Sequence, residues 1–155
     1  MNIFVVDEDP AIAAQQLCDK HVVKMVLETA QMLCTVARQH GYGAAPYKLA
    51  HPKHPCTLWA GRSVKNWEWL LAHGAALSAE YTKRYNKTHK SEAVINWCAC
   101  LPLVFAEREL TPFAQAMPEQ YKNECVVTAY RAYYHNEKAN FATWKTEVPQ
   151  WWTAV

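Results

Sequence analysis

Lys20, His21, Lys24, Glu28 and Gln31 are spaced so that one face of a helix would carry them all. At 100° per residue they fall, with Thr35 and Arg38, inside a sector of roughly 100°. Apolar residues from Val22 to Ala37 fill the remainder. An ordinary surface helix has the reverse proportion, so this helix should be mostly surrounded by protein, its narrow polar sector facing a cleft or a small patch of surface. His21 and Glu28 stand two turns apart, about 10 Å along the axis, which leaves room for a substrate between them. A carboxylate against apolar walls can have its pKa raised toward the range useful for acid–base work. The plainer reading is a solvated face with a Lys24–Glu28 pair worth a few tenths of a kcal/mol.

Two further groups could bind a polyanion or a base. Arg62, Asn66, Trp69, His73, Glu80 and Arg84 share one side of a second helical pattern. If that side meets the same cleft, it brings cations for phosphate and a ring for an unstacked base. Near the C-terminus, Tyr130-Arg131-Ala132-Tyr133-Tyr134-His135-Asn136-Glu137-Lys138 interleaves aromatics with cations. That alternation suits backbone contact plus base stacking, although a Tyr-rich helix is more often core.

The elements that must position these residues read as helices. The chain has 155 residues, 51% of them apolar and 19% charged, with four glycines against seven tryptophans. This describes one folded domain over 1–155, all-α or nearly so, built as a compact bundle of about four helices. Asn2–Val6 is a β-prone run that makes a short strand or extended arm. Asp9 reads as an N-cap with Pro10 at the first helical position. A helical pattern runs from Ala11 to about His40, with a break near Cys18 that Asp19 could cap. It stops at Gly41-Tyr42-Gly43. A second pattern runs from Cys56 to about Asn86, a short third from Ser91 to Cys100, and Pro118 opens a fourth. The aromatic tail, Phe141–Trp152, should pack back on the body, since exposing so many rings costs solubility.

No run of about 18 apolar residues suggests a membrane span. Met1–Asp7 lacks the basic flank of a secretory signal, which points to the cytoplasm and to six reduced cysteines. Net charge is +2, too mild to establish nucleic-acid binding by itself. No Walker loop, dinucleotide-binding glycine turn or His-Glu-x-x-His motif is present, so no cofactor is expected. His51, His54 and Cys56 lie close together, but their spacing fits no standard zinc pattern, and no metal is assigned.

The stretch Cys18-Asp19-Lys20-His21-Val22-Val23-Lys24-Met25-Val26-Leu27-Glu28 resembles the helix of the phage pyrimidine-dimer DNA glycosylase/AP lyases. In that family an Asp-x-His is followed seven residues after the His by a Glu. A long central helix and a Tyr-Lys-Tyr-Tyr-like motif come later, here Tyr130-Arg131-Ala132-Tyr133-Tyr134. Cys18–Met25 and His54-Pro55-Cys56 also resemble uncharacterised phage proteins, which suggests a phage origin and a host-cytoplasm location. The glycosylase resemblance implies a DNA or nucleotide partner and an enzyme that excises a base. Its nucleophile would be the N-terminal α-amine, and its sugar chemistry would be assisted by Glu28. The amine falls to Met1, because Asn2 is a poor second residue for methionine removal. Lys24 is the substitute amine, and His21 shapes the site. Gln31, Arg62, Asn66, Trp69, His73, Arg131, Tyr134 and Lys138 are the expected substrate contacts. Two other readings keep the fold: an enzyme acting on free nucleosides or nucleotides, and a non-catalytic phage accessory protein that binds nucleic acid or a host protein.

Overall fold

In the computed structural model, which describes residues 1–153, the first helix starts where the capping signal puts it. The Asp9 carboxylate accepts from the N–H groups of Ala11 (2.8 Å) and Ile12 (3.0 Å), and Pro10 opens α1 (Pro10–Gln16). Then follow α2 (Asp19–Gln39), α3 (Pro55–Ala60), α4 (Val64–Tyr85), α5 (Glu92–Ala99), α6 (Val126–Glu137) and α7 (Gln150–Thr153). A 3-10 turn spans Glu119–Tyr121. No strand forms among the described residues; Ser63 and Glu107 make one isolated bridge. The all-α expectation stands, and the count of about four helices is corrected to seven among the described residues.

The count differs because both long patterns break and the tail adds α7. The first breaks at Leu17–Cys18, as the sequence allows, but Asp19 does not cap the restart. It is the first residue of α2, and its carboxylate binds Arg84 (3.1 Å) and the Lys145 N–H (3.0 Å). The second breaks at Gly61–Ser63, where the Ser63 hydroxyl accepts from the Asn66 N–H and starts α4. Pro118 precedes only the 3-10 turn. Side chains hold the backbone beyond it: Gln115 brackets Asn123 at both its N–H and its carbonyl, and Asn123 accepts from the Cys125 N–H.

Helices α2 and α4 pack on each other, with α3 and α5 against both and α1 along α4. Gly74 sits where α2, α4 and α5 converge; a Cβ there would lie 2.9 Å from the Thr29 methyl and 3.1 Å from Ile95. No side chain larger than hydrogen fits without movement. None of the described helices is long and apolar enough to cross a membrane.

Asn2–Val6 is an arm, not a strand, and every residue of it is buried. It bends at Phe4, whose φ of 60° is unusual for an aromatic residue and costs on the order of 1–3 kcal/mol. The surroundings that hold this bend also fix the start of the chain. The aromatic tail packs back as expected: Trp144 and Trp151 both donate to Gln16, and Trp152 stacks on His135.

Candidate active site

The bent arm carries the N-terminus to the polar sector of α2. The Met1 α-amine lies 3.5 Å from Glu28 Oε1, and the Asn2 N–H donates to Glu28 Oε2 at 3.1 Å. Lys24 Nζ reaches the same Oε1 at 3.5 Å from one turn earlier. The Glu28 side chain is 10% exposed, while that of Lys24 is 65% exposed. The Met1 side chain is 4% exposed although the residue as a whole is only partly buried, so the accessible part of Met1 is its backbone end. A buried thioether thus anchors an accessible amine against a nearly buried carboxylate.

His21 does not face an open cleft. It is 5% exposed, its ring stacks on Phe4 at 4.2 Å, and its Nδ1 shares a 2.5 Å hydrogen bond with the Tyr134 hydroxyl. Burial first, then the positive charges of Lys138 and Lys24, push its pKa down to about 3. His21 is therefore a neutral platform for the bend at Phe4. The rest of the sector divides. Gln31, three residues beyond Glu28, is half-buried. Thr35 binds the backbone of Ala50, and Arg38 donates to the carbonyls of Tyr47 and Ala45, which ties the 43–54 loop to α2.

The side of α4 expected to share the cleft turns elsewhere. Asn66 is fully buried, donating to the Trp59 carbonyl and Thr111 hydroxyl and accepting from the Thr111 N–H. Trp69 donates to the Glu8 carbonyl, and His73 Nδ1 pairs with the Pro10 carbonyl. Arg84 donates to the carbonyls of Leu17 and Gln15 and to Glu80 and Asp19. At the C-terminal end of α1, where the last carbonyls have no intrahelical partner, Arg84 satisfies those of Gln15 and the following Leu17, while Trp69 and His73 bind Glu8 and Pro10 at its other end. Arg62 is exposed and paired with Glu107 at 3.3 Å. A groove of about 580 Å³ opens between α1, α4 and the tail, lined by Gln16, Glu80, Lys83, Arg131 and Trp151. Neither Glu28 nor Met1 lies on it.

The C-terminal motif also faces inward. Tyr134 is fully buried, and its hydroxyl accepts from the Cys18 N–H at 3.2 Å. Arg131 donates to the Val6 carbonyl at 2.9 Å. Lys138 stands over Tyr133 (4.7 Å) and Phe4 (5.9 Å), at the edge of the arm.

Sequence reasoning missed two neighbours of the amine, Asn2 and His54. His54 Nδ1 accepts from the Cys56 N–H and caps α3. Its pKa is lowered by burial and by the terminal ammonium and His51, against an opposing pull from Glu28. Among the described residues, no three His, Cys, Asp or Glu side chains are grouped to hold a metal ion. A Pro after His54 marks the helix start, but no local pattern says that this start lies beside the N-terminus.

In this helical protein a bent arm thus sets an α-amine against a nearly buried carboxylate of α2. The family model described as pyrimidine dimer DNA glycosylase matches residues 1–93, and the chain belongs to that family. The match contains Met1, His21, Lys24 and Glu28 and ends before α6. No curated protein and no solved structure matches.

Proposed function

We propose that this protein is a DNA N-glycosylase with an accompanying lyase step, and that the Met1 α-amine is its nucleophile. The observation that carries the reading is the 3.5 Å approach of that amine to Glu28 Oε1 on a chain of the pyrimidine dimer DNA glycosylase family. An α-amine next to a carboxylate that can take up its proton is a suitable nucleophile for a sugar carbon. In the proposed reaction a nucleotide is extruded from the duplex and its C1′ meets the amine. The N–C1′ bond forms as the glycosidic bond breaks, and the electron pair leaves with the base, which takes up a proton. Opening of the sugar ring gives an imine. Loss of the C2′ proton then expels the 3′ phosphate oxygen. Glu28 stabilises the positive charge that develops at the sugar and carries the protons.

Lys20 and Lys24 on α2 and Lys138 beside Phe4 are cations near this site, and in this reading they contact phosphates. Lys24 remains the substitute amine. A pyrimidine dimer is the first lesion to test, because it is the one the family is described by.

The experiment is borohydride trapping with DNA carrying an abasic site or a pyrimidine dimer. The expected result is a covalent protein–DNA product whose crosslinked peptide begins at Met1 and which disappears when the α-amine is acetylated. Absence of any product from unblocked protein on both DNAs would overturn the proposal, and a crosslink at Lys24 would move the nucleophile.

A further inference from the structure

The buried Met1 side chain holds its residue by packing alone, so any directional hold on the amine beyond its contact with Glu28 must come through residue 2. Asn2 is 7% exposed and bound from several directions. Its Nδ2 donates to the Ala116 carbonyl at 2.8 Å. Its Oδ1 accepts from the Ile3 N–H at 2.8 Å and from the Tyr130 hydroxyl at 2.8 Å. Its own N–H goes to Glu28 Oε2. The amide is thus fixed by its own arm, by the 114–116 segment and by α6, while its backbone joins the carboxylate.

Tyr130 is the distant member of this set, 128 residues along the chain from Asn2. It is fully buried. Its hydroxyl also accepts from the Ala116 N–H at 3.2 Å and lies 3.0 Å from the Ala114 carbonyl. A phenol has one proton to give, and Asn2 Oδ1 at 2.8 Å is the nearer of its two acceptors. Burial raises the pKa of this hydroxyl well above the ordinary value, so it keeps its proton near neutral pH. The same α6 holds the arm again at Val6 through Arg131.

We propose that Tyr130, acting through Asn2, is the positioning residue that holds the Met1 α-amine on Glu28. The inference rests on the glycosylase reading given above. It gives the first tyrosine of the C-terminal aromatic motif a task behind the site, not on a DNA-stacking surface. An attacking group must stand within a few tenths of an ångström of its reactive position, and a misplacement of ~1 Å costs on the order of 100-fold in rate. Loss of the clamp should therefore appear in the chemical step and leave DNA binding alone.

The test compares wild type with Tyr130→Phe in single-turnover trapping on abasic DNA, with DNA affinity and thermal midpoint measured alongside. The expected result is a trapping rate lowered about tenfold or more at an affinity within about twofold of wild type. Asn2→Gln, which displaces the amide by one methylene, should give the same split, with its N-terminal methionine confirmed by mass. If Tyr130→Phe does not fold, Asn2→Gln decides the question. A wild-type trapping rate in the folded variant overturns the clamp, as does a loss of rate matched by an equal loss of affinity. If wild type itself forms no product, the glycosylase reading fails first and the clamp with it.

Discussion

Two long helices of this protein each carry a polar stripe, and the stripes do different work. On α2, Glu28 meets the chain's own amine and Lys24 remains exposed to solvent. On α4, Asn66, Trp69, His73 and Arg84 are buried and bind backbone carbonyls. Both stripes mix cations, a histidine, an amide and a carboxylate. The difference lies in what faces them. Beside α4 run both ends of a seven-residue helix and the backbone at Trp59 and Thr111, whose polar groups must find partners once buried. Beside α2 lies a chain terminus, which supplies a reactive group. A polar stripe on a mostly buried helix is therefore no site in itself; its neighbour decides.

The comparison breaks most readily at Arg84. Its side chain is fully buried between Glu80, Asp19 and the carbonyls of Gln15 and Leu17 at the end of α1. Arg84→Ala leaves two carboxylates and two carbonyls without their cation, and breaking a buried pair from one side costs about 3–5 kcal/mol. Urea unfolding should show a loss of that size, with the trapping rate of the folded fraction unchanged within about threefold. A loss below about 1 kcal/mol together with abolished trapping would place chemistry on α4 and undo the contrast.

Glu28→Gln is the converse. The amide keeps the shape and an acceptor for the Asn2 N–H but cannot carry a proton. Base release and trapping should fall about 100-fold or more, the usual scale for losing an acid–base group. Stability should change by no more than about 1 kcal/mol. Retained activity would remove Glu28 from the proposed mechanism, whatever its distance from the amine.

How much of this was legible in the sequence follows from the range of each interaction. The Asp9 cap, the break at Cys18 and the turn at Gly41 depend on residues within a few positions, and the structure has them. Helix α6 starts at Val126 and not at Pro118, because Gln115 and Asn123 hold the intervening backbone through side-chain bonds that no periodicity reports. The polar sector of α2 was legible as a pattern. That Met1 sits 3.5 Å from Glu28 was suggested only by the family resemblance, since nothing local brings residue 1 to residue 28. The inward turn of Tyr130, Arg131 and Tyr134 was illegible for the same reason. Their partners, Asn2, Val6 and Cys18, lie more than 110 positions away.

The smallest expected effect separates the two stripes by their histidines. His73 on α4 is fully buried; burial lowers its pKa to about 4, against a pull upward from the backbone of Pro10 and Ile3. Its Nε2, near the Ile3 backbone, makes no hydrogen bond. His21 on α2 is lowered to about 3. Both titrate near 6.5 in the unfolded chain, so below that pH the unfolded state binds protons that the native state refuses. Stability is then complete above pH 6.5 and falls as pH drops toward 4, by on the order of 2 kcal/mol per histidine at pH 4.5. His73→Gln should remove about half of that loss between pH 6.5 and 4.5, read as a shallower fall in the urea midpoint, and leave trapping at pH 7 unchanged. His21→Gln should also flatten the fall, and in addition slow trapping, because Phe4 loses the ring that supports its bend. Slowed trapping in the His73 variant would tie α4 to the amine and erase the distinction between the stripes. An unaltered trapping rate in the His21 variant would instead show that the bend at Phe4 holds without its platform.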